Sequence, residues 1–248
     1  MIEHDNARYY RSDAAVREYT GYDHLMEAEA AVLRLLVSEG LDSKRMLDLG
    51  VGGGRTAVHF APAAGEYVGV DYSAPLVEAC RRRFADSGWE HARFEVADAR
   101  DLSRWPDGSF GFALFSWNGL DAIPDEEGRL RALREIRRVL EPGARFCFSA
   151  HNLEYALAPA SLPRRLLRRV LNPELGRLAR SDAGYVADER VGLKWERHYY
   201  IRPVAQLAQL LEVGFTDPVA LRPDGTQVAS PTANEFADRH WLYYLARA

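Results

Sequence analysis

The feature that most constrains this chain is the run Met46-Leu47-Asp48-Leu49-Gly50-Val51-Gly52-Gly53-Gly54-Arg55-Thr56. Met46 to Leu49 is apolar but for Asp48 and gives way at once to glycines, as a buried parallel strand does when it enters a tight turn ahead of a helix. Gly50, Gly52 and Gly54 alternate, so the backbone can take positive φ there and a ligand can come closer than any Cβ would allow. A helix starting near Arg55 or Thr56 then offers its unbonded N–H groups to whatever lies over the turn. A second apolar run, Tyr67 to Val70, ends in Asp71-Tyr72-Ser73. A carboxylate at the end of a second strand can accept both hydroxyls of a ribose, a use of the position shared by dinucleotide-binding sheets. Asp71 could otherwise cap the helix expected from Ala74, although Ser73 is the better placed cap.

The nicotinamide fingerprint G-x-G-x-x-G, begun at Gly50, needs a third glycine where the chain has Arg55. The spacing Asp-x-Gly-x-Gly-x-Gly instead resembles the first motif of class I S-adenosyl-L-methionine (SAM) methyltransferases. That resemblance implies a cofactor site formed by Asp48, Gly50, Gly52, Gly54, Asp71 and Tyr72. A third strand, Ala92 to Val96, leads to Asp98-Ala99, which is similar to the position whose carboxylate accepts the adenine amino group in that family. For Asp98 the local sequence by itself fits a turn aspartate equally well.

Composition sets the outer limits. With 248 residues, 47% of them hydrophobic, the chain can build one α/β domain with a sizeable core plus an insertion. A formal net charge of -4 speaks against general nucleic-acid binding, which leans on excess Lys and Arg. Cys80 and Cys147 supply neither a disulfide framework nor a metal-ligand spacing, and no histidine pair has one, so no metal is expected. The N-terminus is polar and aromatic rather than leader-like. No run approaches the ~18 apolar residues of a membrane span, so a soluble, cytoplasmic protein without a membrane partner is expected.

Ahead of the first strand, Leu25, Ala28, Val32, Leu35 and Leu36 repeat at helical spacing and Gly40 can end the helix. Tyr9, Tyr10, Tyr19 and Tyr22 crowd the segment upstream. Docking on the sheet would account for them; in the methyltransferases that the chain resembles, such a segment often forms a lid with a tyrosine reaching inward, which makes Tyr19 the candidate. Beyond the second strand, a helix is expected over Ala74 to Asp86, with Pro75 tolerated in its first turn. Pro106-Asp107-Gly108-Ser109 is a turn. It introduces a fourth strand, Phe110 to Phe115, ending at Ser116-Trp117-Asn118. Ligands bind at the carboxyl ends of parallel strands, which places Ser116 and Trp117 near the cofactor and Asn118 toward a substrate. This differs from the Asn/Asp-Pro-Pro-aromatic motif of enzymes that methylate nucleobase amines. The next helix, Asp125 to Leu140, carries Leu130, Leu133, Ile136 and Leu140 on one side, and its arginines read as a solvated opposite face.

A fifth strand, Ala144 to Ala150, ends at His151-Asn152, both expected to meet the substrate. From Leu153 to about Arg197 the alternation breaks down into an insertion holding Pro163, Pro173 and the cluster Arg164, Arg165, Arg168 and Arg169, a kind of segment in which specificity often resides. The pattern resumes at Tyr199 to Ile201 and continues with a helix from Pro203 to Val213. A strand near Val219 to Leu221 and a last strand from His240 to Leu245 follow. The resemblance implies an α/β, Rossmann-like, mixed seven-stranded sheet with helices on both faces and an antiparallel last strand. Residues 1–43 would be a helical lid, 44–248 the SAM-binding domain, and 153–197 a substrate-side insertion.

The function implied is transfer of the SAM methyl group to an oxygen, nitrogen or carbon of a small-molecule acceptor. An amine needs only to arrive uncharged, whereas a hydroxyl or acidic carbon gains from a general base, for which His151 is the candidate. A SAM-binding enzyme with other chemistry, and a non-catalytic nucleotide-binding module, stay open on the sequence. The acceptor and the oligomeric state are not legible in it.

Overall fold

The computed structural model describes residues 2–158, 173–189, 195–232 and 235–248. The arginine cluster Arg164, Arg165, Arg168 and Arg169, with Pro163, lies outside the described residues. Two short helices, α1 (Ile2–Tyr10) and α2 (Asp13–Thr20), precede α3 (Glu27–Ser38). Ser12 caps α2, its hydroxyl accepting from the Ala15 N–H at 3.2 Å.

The sheet then begins with β1 (Arg45–Leu49), the single turn α4 (Ala57–Phe60), β2 (Glu66–Asp71), α5 (Ala74–Arg83), β3 (Ala92–Val96), β4 (Phe110–Phe115), α6 (Glu126–Val139) and β5 (Leu140–Asn152). Next come α7 (Leu153–Leu157), α8 (Pro173–Leu178), β6 (Ala183–Glu189), β7 (Trp195–Ile201), α9 (Pro203–Val213), β8 (Thr216–Leu221), β9 (Gln227–Val228) and β10 (Trp241–Arg247). The main path runs β3-β2-β1-β4-β5-β10-β8-β9 in a ten-stranded sheet. Strands β1 to β5 are mutually parallel where they pair, and β10 enters antiparallel between β5 and β8. This is the expected mixed sheet, enlarged by β9 and by the β6–β7 hairpin.

Helices cover both faces because the central strands are apolar throughout rather than alternating. Ala28, Val32 and Leu36 of α3 pack with Met46, Phe112 and Leu114 on one face; Ala132, Leu133 and Ile136 of α6 pack with Leu47, Ala113 and Phe146 on the other. Each such Leu or Ile, once buried, contributes about 1.5–3 kcal/mol. Arg131, Arg134 and Arg137 of α6 are exposed as expected. Arg129 is not: it is fully buried, one turn from Leu133 and two from Ile136 on the apolar face.

The stretch read from sequence as a break in the pattern contains an antiparallel pair, β6 with β7. Because β5 continues past the end of β4, β7 pairs with its last residues in parallel, His151 with Tyr200 and Asn152 with Ile201. The hairpin therefore extends the sheet above the carboxyl end of β4, where a nucleotide-binding sheet has its crevice. Helix α1 closes the same crevice from the other side. The Asn6 side-chain amide donates to the carbonyls of Ala122 and Arg197, both at 3.0 Å, and accepts from the Arg197 N–H at 3.3 Å.

Candidate active site

A cavity of about 460 Å³ lies over the ends of β1, β2, β3 and β4, walled on the solvent side by Asn6, Tyr10 and Tyr19. Its floor is the glycine turn. Gly50, Gly52 and Gly54 all have positive φ, at 62°, 55° and 85°. Gly50 and Gly52 line the cavity, but Gly54 does not. A Cβ on Gly54 would lie 2.4 Å from the Phe84 ring and 2.9 Å from the Cys80 sulfur, so this glycine admits close helix packing instead of a ligand. Gly53, which the sequence pattern did not single out, has a similar duty toward α2: a Cβ there would stand 2.4 Å from the Tyr19 carbonyl.

Asp48 also lies behind the wall. Its Oδ2 accepts from the Thr56 hydroxyl at 2.6 Å and the Tyr67 hydroxyl at 2.5 Å, ties that brace the turn to β2. Burial pushes its pKa up to about 6 against those two hydrogen bonds. Asp71 does reach the cavity. Its Oδ2 accepts from the Gly52 N–H at 3.1 Å and its Oδ1 from the Ser73 N–H at 2.8 Å, leaving acceptor capacity on each oxygen. Burial raises its pKa to about 6, opposed by those same backbone donors. Ser73 makes no side-chain cap on α5; its hydroxyl instead donates to the Tyr10 carbonyl at 2.6 Å and ties the lid to the end of β2. Tyr72 lines the cavity beside Asp71, its ring 6.1 Å from that of Tyr10.

At the end of β3, Asp98 and Ala99 line the wall as expected, but Asp98 has a partner that sequence did not give it. Arg100 donates its backbone N–H to Oδ1 at 2.9 Å and its guanidinium to both oxygens, the shortest contact being 2.7 Å. Partial burial works upward on the Asp98 pKa, yet the Arg100 contacts outweigh it and hold the carboxyl below its ordinary value.

Ser116 and Trp117 line the cavity at the end of β4. Behind them lies a buried network unforeseen in the sequence. Arg55, the residue in place of the third glycine, pairs with both oxygens of Glu29 at 2.6 Å, donates to the Ser116 hydroxyl at 3.0 Å and sits 4.2 Å over the Trp117 ring. Glu29 also accepts from Ser116, from the Tyr243 hydroxyl at 2.7 Å and from the Met26 N–H at 2.7 Å. Burial acts to raise the Glu29 pKa, but the Arg55 hydrogen bonds and charge win and lower it. The available signal was a glutamate inside an apolar helical face, which must find a cation if it is to be buried.

Trp117 and Asn118 both have left-handed backbone, φ 49° and 58°. For residues other than glycine that costs roughly 1–3 kcal/mol each, least for Asn, and such strain gathers at functional sites. The turn carries Asn118 away from the cavity, so neither Asn118 nor His151 lies in its wall, although Trp117 and Gly119 on either side of Asn118 do. The Asn118 N–H donates to the Ser149 hydroxyl at 2.8 Å, and its Nδ2 is 3.3 Å from His151 Nε2. Asn118 Oδ1 and Trp117 Nε1 are buried without a hydrogen-bond partner, two polar groups available to a ligand.

His151 is held from behind. Asp121 Oδ2 accepts from the His151 backbone N–H at 2.6 Å and lies 3.0 Å from Nδ1, while Asp121 Oδ1 pairs with Arg129 at 2.5 Å. The His151 ring lies 4.8 Å from that of Tyr200 and 4.9 Å from that of His198, both brought in by β7. Tyr19, the lid candidate, does line the cavity, with its ring edge 6.3 Å from Trp117. Asn152 does not serve as a substrate contact. It is fully buried, donating to the carbonyls of Phe236 at 2.7 Å and Arg239 at 3.1 Å and capping α7 through the Glu154 N–H at 2.9 Å, which leaves its polar atoms engaged.

A glycine turn, an acidic residue at or just past the end of each of the next two strands, an antiparallel strand near the sheet edge and a helical cover make up the fold of class I SAM-dependent methyltransferases. Residues 46–143 match the family described as a methyltransferase domain. The chain is 30% identical over 146 residues to the uncharacterized methyltransferase YcgJ of Bacillus subtilis (strain 168), covering 59% of this chain and 52% of that one. It is 32% identical over 143 residues to the demethylmenaquinone methyltransferase of Clavibacter sepedonicus, with 56% and 54% covered. The chain thus spans about half the length of these curated relatives. Across the whole fold it superposes on the CcbJ methyltransferase of Streptomyces caelestis with a TM-score of 0.64 at 16% identity, covering 96% of this chain and 97% of that one. Among the described residues no helix is long and apolar enough to cross a membrane, and no group of His, Cys, Asp and Glu is placed to hold a metal ion.

Proposed function

We propose that this protein transfers the methyl group of SAM to a small-molecule acceptor, and that His151 takes up the proton when the acceptor is a hydroxyl or an acidic carbon. The observation that carries this is one cavity floored by positive-φ glycines and edged by Asp71, backed across the Trp117 turn by a histidine whose other nitrogen faces a buried carboxylate. Gly50 and Gly52 would seat the amino-acid end of the cofactor, Asp71 the ribose, and Asp98 with Ala99 the adenine. Bound SAM supplies a methyl group on a sulfonium, already a good leaving group.

The chain's own task is alignment and exclusion of water. Tyr10, Tyr19 and Asn6 line the cavity, and Trp117 lines it directly before Asn118, which contacts His151. An incoming O–H would replace the 3.3 Å Asn118 contact at Nε2, where the imidazole could take up its proton, while bound SAM would supply the methyl group and leave as S-adenosylhomocysteine. Asn118 Oδ1, left without a partner, supports the same placement by offering the acceptor a second anchor. A small-molecule acceptor is in keeping with the relative named for demethylmenaquinone.

The test uses methyl-labelled SAM against small phenols, 1,3-diketones and primary amines. Label appearing in a phenol or diketone, and lost in His151→Gln, supports the reading. Label confined to amines, with His151→Gln unaffected, removes the proton-accepting role and leaves methyl transfer itself intact.

A further inference from the structure

Asp121 is the buried carboxylate that lies behind His151. It belongs to the short 3-10 turn Gly119–Ala122 that follows the strained residues, and its side chain is wholly inaccessible. We infer that Asp121 is a positioning residue: it holds His151 in the Nδ1–H tautomer so that Nε2 carries the lone pair, and Arg129 anchors Asp121 for that purpose. The inference rests on the reading of His151 as the proton acceptor.

Two neighbours bear on the tautomer. An ionised carboxylate can only accept, so the Oδ2 facing Nδ1 at 3.0 Å requires a proton on Nδ1. On the opposite side of the ring, Asn118 Nδ2 lies 3.3 Å from Nε2, an orientation that matches a lone pair there. A doubly protonated ring would set two donors face to face there. The same Oδ2 is gripped by the His151 backbone N–H at 2.6 Å, so side chain and strand end are aligned to one atom.

Arg129 makes the arrangement rigid. Its guanidinium donates to Asp121 at 2.5 Å, to Gln206 at 2.6 Å and to Gln209 at 3.3 Å, and lies 4.5 Å over the Tyr199 ring. Those contacts lock it between α6, α9 and β7. A buried ion pair is a poor source of stability compared with apolar packing, and its best-attested value is in fixing a specific geometry. Here one carboxylate oxygen faces the arginine and the other a histidine at the mouth of the sheet.

Exchanging Asp121 for Asn discriminates this from mere bracing. Arg129 is charged and donor-only and draws the amide oxygen to itself, so the amide NH₂ faces His151, gives up the bond from the His151 backbone N–H and turns its donor to Nδ1, which forces the proton onto Nε2. In the Ser-His-Asp arrangement the corresponding exchange costs about 10⁴-fold in kcat through the wrong tautomer.

The experiment is long-range ¹H–¹⁵N correlation on protein labelled at histidine nitrogens, with S-adenosylhomocysteine present and the His151 signals assigned by their absence in His151→Gln. The wild type is expected to show Nδ1 protonated and Nε2 unprotonated at neutral pH. The reverse tautomer or an imidazolium overturns the inference, with no variant and no acceptor needed. In Asp121→Asn the tautomer is expected to invert, and label transfer to the phenol or diketone turned over by the wild type to fall by about 10²-fold or more, with SAM affinity unchanged. A retained tautomer, or a loss below about tenfold, overturns it equally. A wild-type rate in His151→Gln, beside a wild-type Nδ1–H tautomer, strikes only the proton-accepting reading and sustains the tautomer assignment.

Discussion

Two buried arginine–carboxylate pairs frame this molecule, one at each end of its site. Behind the glycine turn Glu29 binds Arg55; beside the end of β5 Asp121 binds Arg129. Both are inaccessible or nearly so; Glu29 and Arg55 lie 26 residues apart in sequence, Asp121 and Arg129 only 8. They differ in what the carboxylate has left over. Glu29 is surrounded by Arg55, Ser116, Tyr243 and the Met26 N–H, all of which brace α3 and β10 against the glycine turn. Asp121 gives one oxygen to its arginine and turns the other to a histidine. The first pair is scaffolding, and the second directs a side chain that we assign to chemistry. Burial of a charge pair therefore does not by itself mark a functional group; the partner on the far side of the carboxylate does.

The sharpest way to break that comparison is at the acceptor end. His151→Gln keeps some hydrogen bonding but cannot take a proton, and is expected to slow single-turnover methylation of a hydroxyl or carbon acceptor by about 10²-fold to 10⁴-fold, with SAM affinity preserved in calorimetry. A loss under about tenfold would reduce His151 to a binding contact. Glu29→Gln should act oppositely. It leaves Arg55 buried without its counter-ion, for which about 3–5 kcal/mol of stability is expected to go in a denaturant titration. In the same variant the tautomer of His151 is expected to stay as it is in the wild type.

Smaller effects sharpen the cofactor end. Asp71→Ala removes an ionised acceptor worth about 1.5–3 kcal/mol, so SAM should bind roughly 10-fold to 150-fold more weakly with the fold intact. An unchanged affinity would place the ribose elsewhere. The same carboxylate predicts a pH dependence. With its pKa raised to about 6, Asp71 is mostly ionised at pH 7 and mostly protonated at pH 5. Hydroxyl donors favour the ionised form, so SAM affinity should fall by about tenfold over that interval in the wild type, and by much less in Asp71→Ala. Smallest of all is Gly53→Ala. Its φ is not in the left-handed region, so the whole effect comes from a Cβ 2.4 Å from Tyr19. Faster hydrogen exchange across residues 13–20 is expected, with a loss of SAM affinity below that of Asp71→Ala.

The glycine turn, the two acids after β2 and β3 and the order of the parallel strands were legible because each is a local matter. Positive φ at Gly50 and Gly52 is a property of single residues, and a strand-end carboxylate is placed by its own strand. The roles of Asp48 and Gly54 were misjudged for the opposite reason. Both have the right spacing, but whether a side chain faces a ligand or a neighbouring helix depends on what packs behind it, here Tyr67 for one and Phe84 for the other. Arg129 shows the same limit from another side, since its helical spacing with Leu133 and Ile136 did put it on the buried face. Composition alone grouped it with its solvated neighbours.

By itself the sequence determined the parallel strands, the glycine turn between β1 and the helix that follows, and the place of a histidine at the end of β5. Hydrophobic runs, glycines and strand-end acids act within a few residues of one another, and that range is written in order along the chain. Only the tertiary structure decided that Asp121 faces His151, that Arg129 faces Asp121, and that β7 carries Tyr200 and His198 to the same ring. The contacts to His151 join elements 30 or more residues apart, and the Arg129 pair, though only 8 residues apart, depends on how α6 packs against the turn before it. A buried charge selects its partner by the three-dimensional need to be neutralised and hydrogen-bonded, which no local pattern encodes.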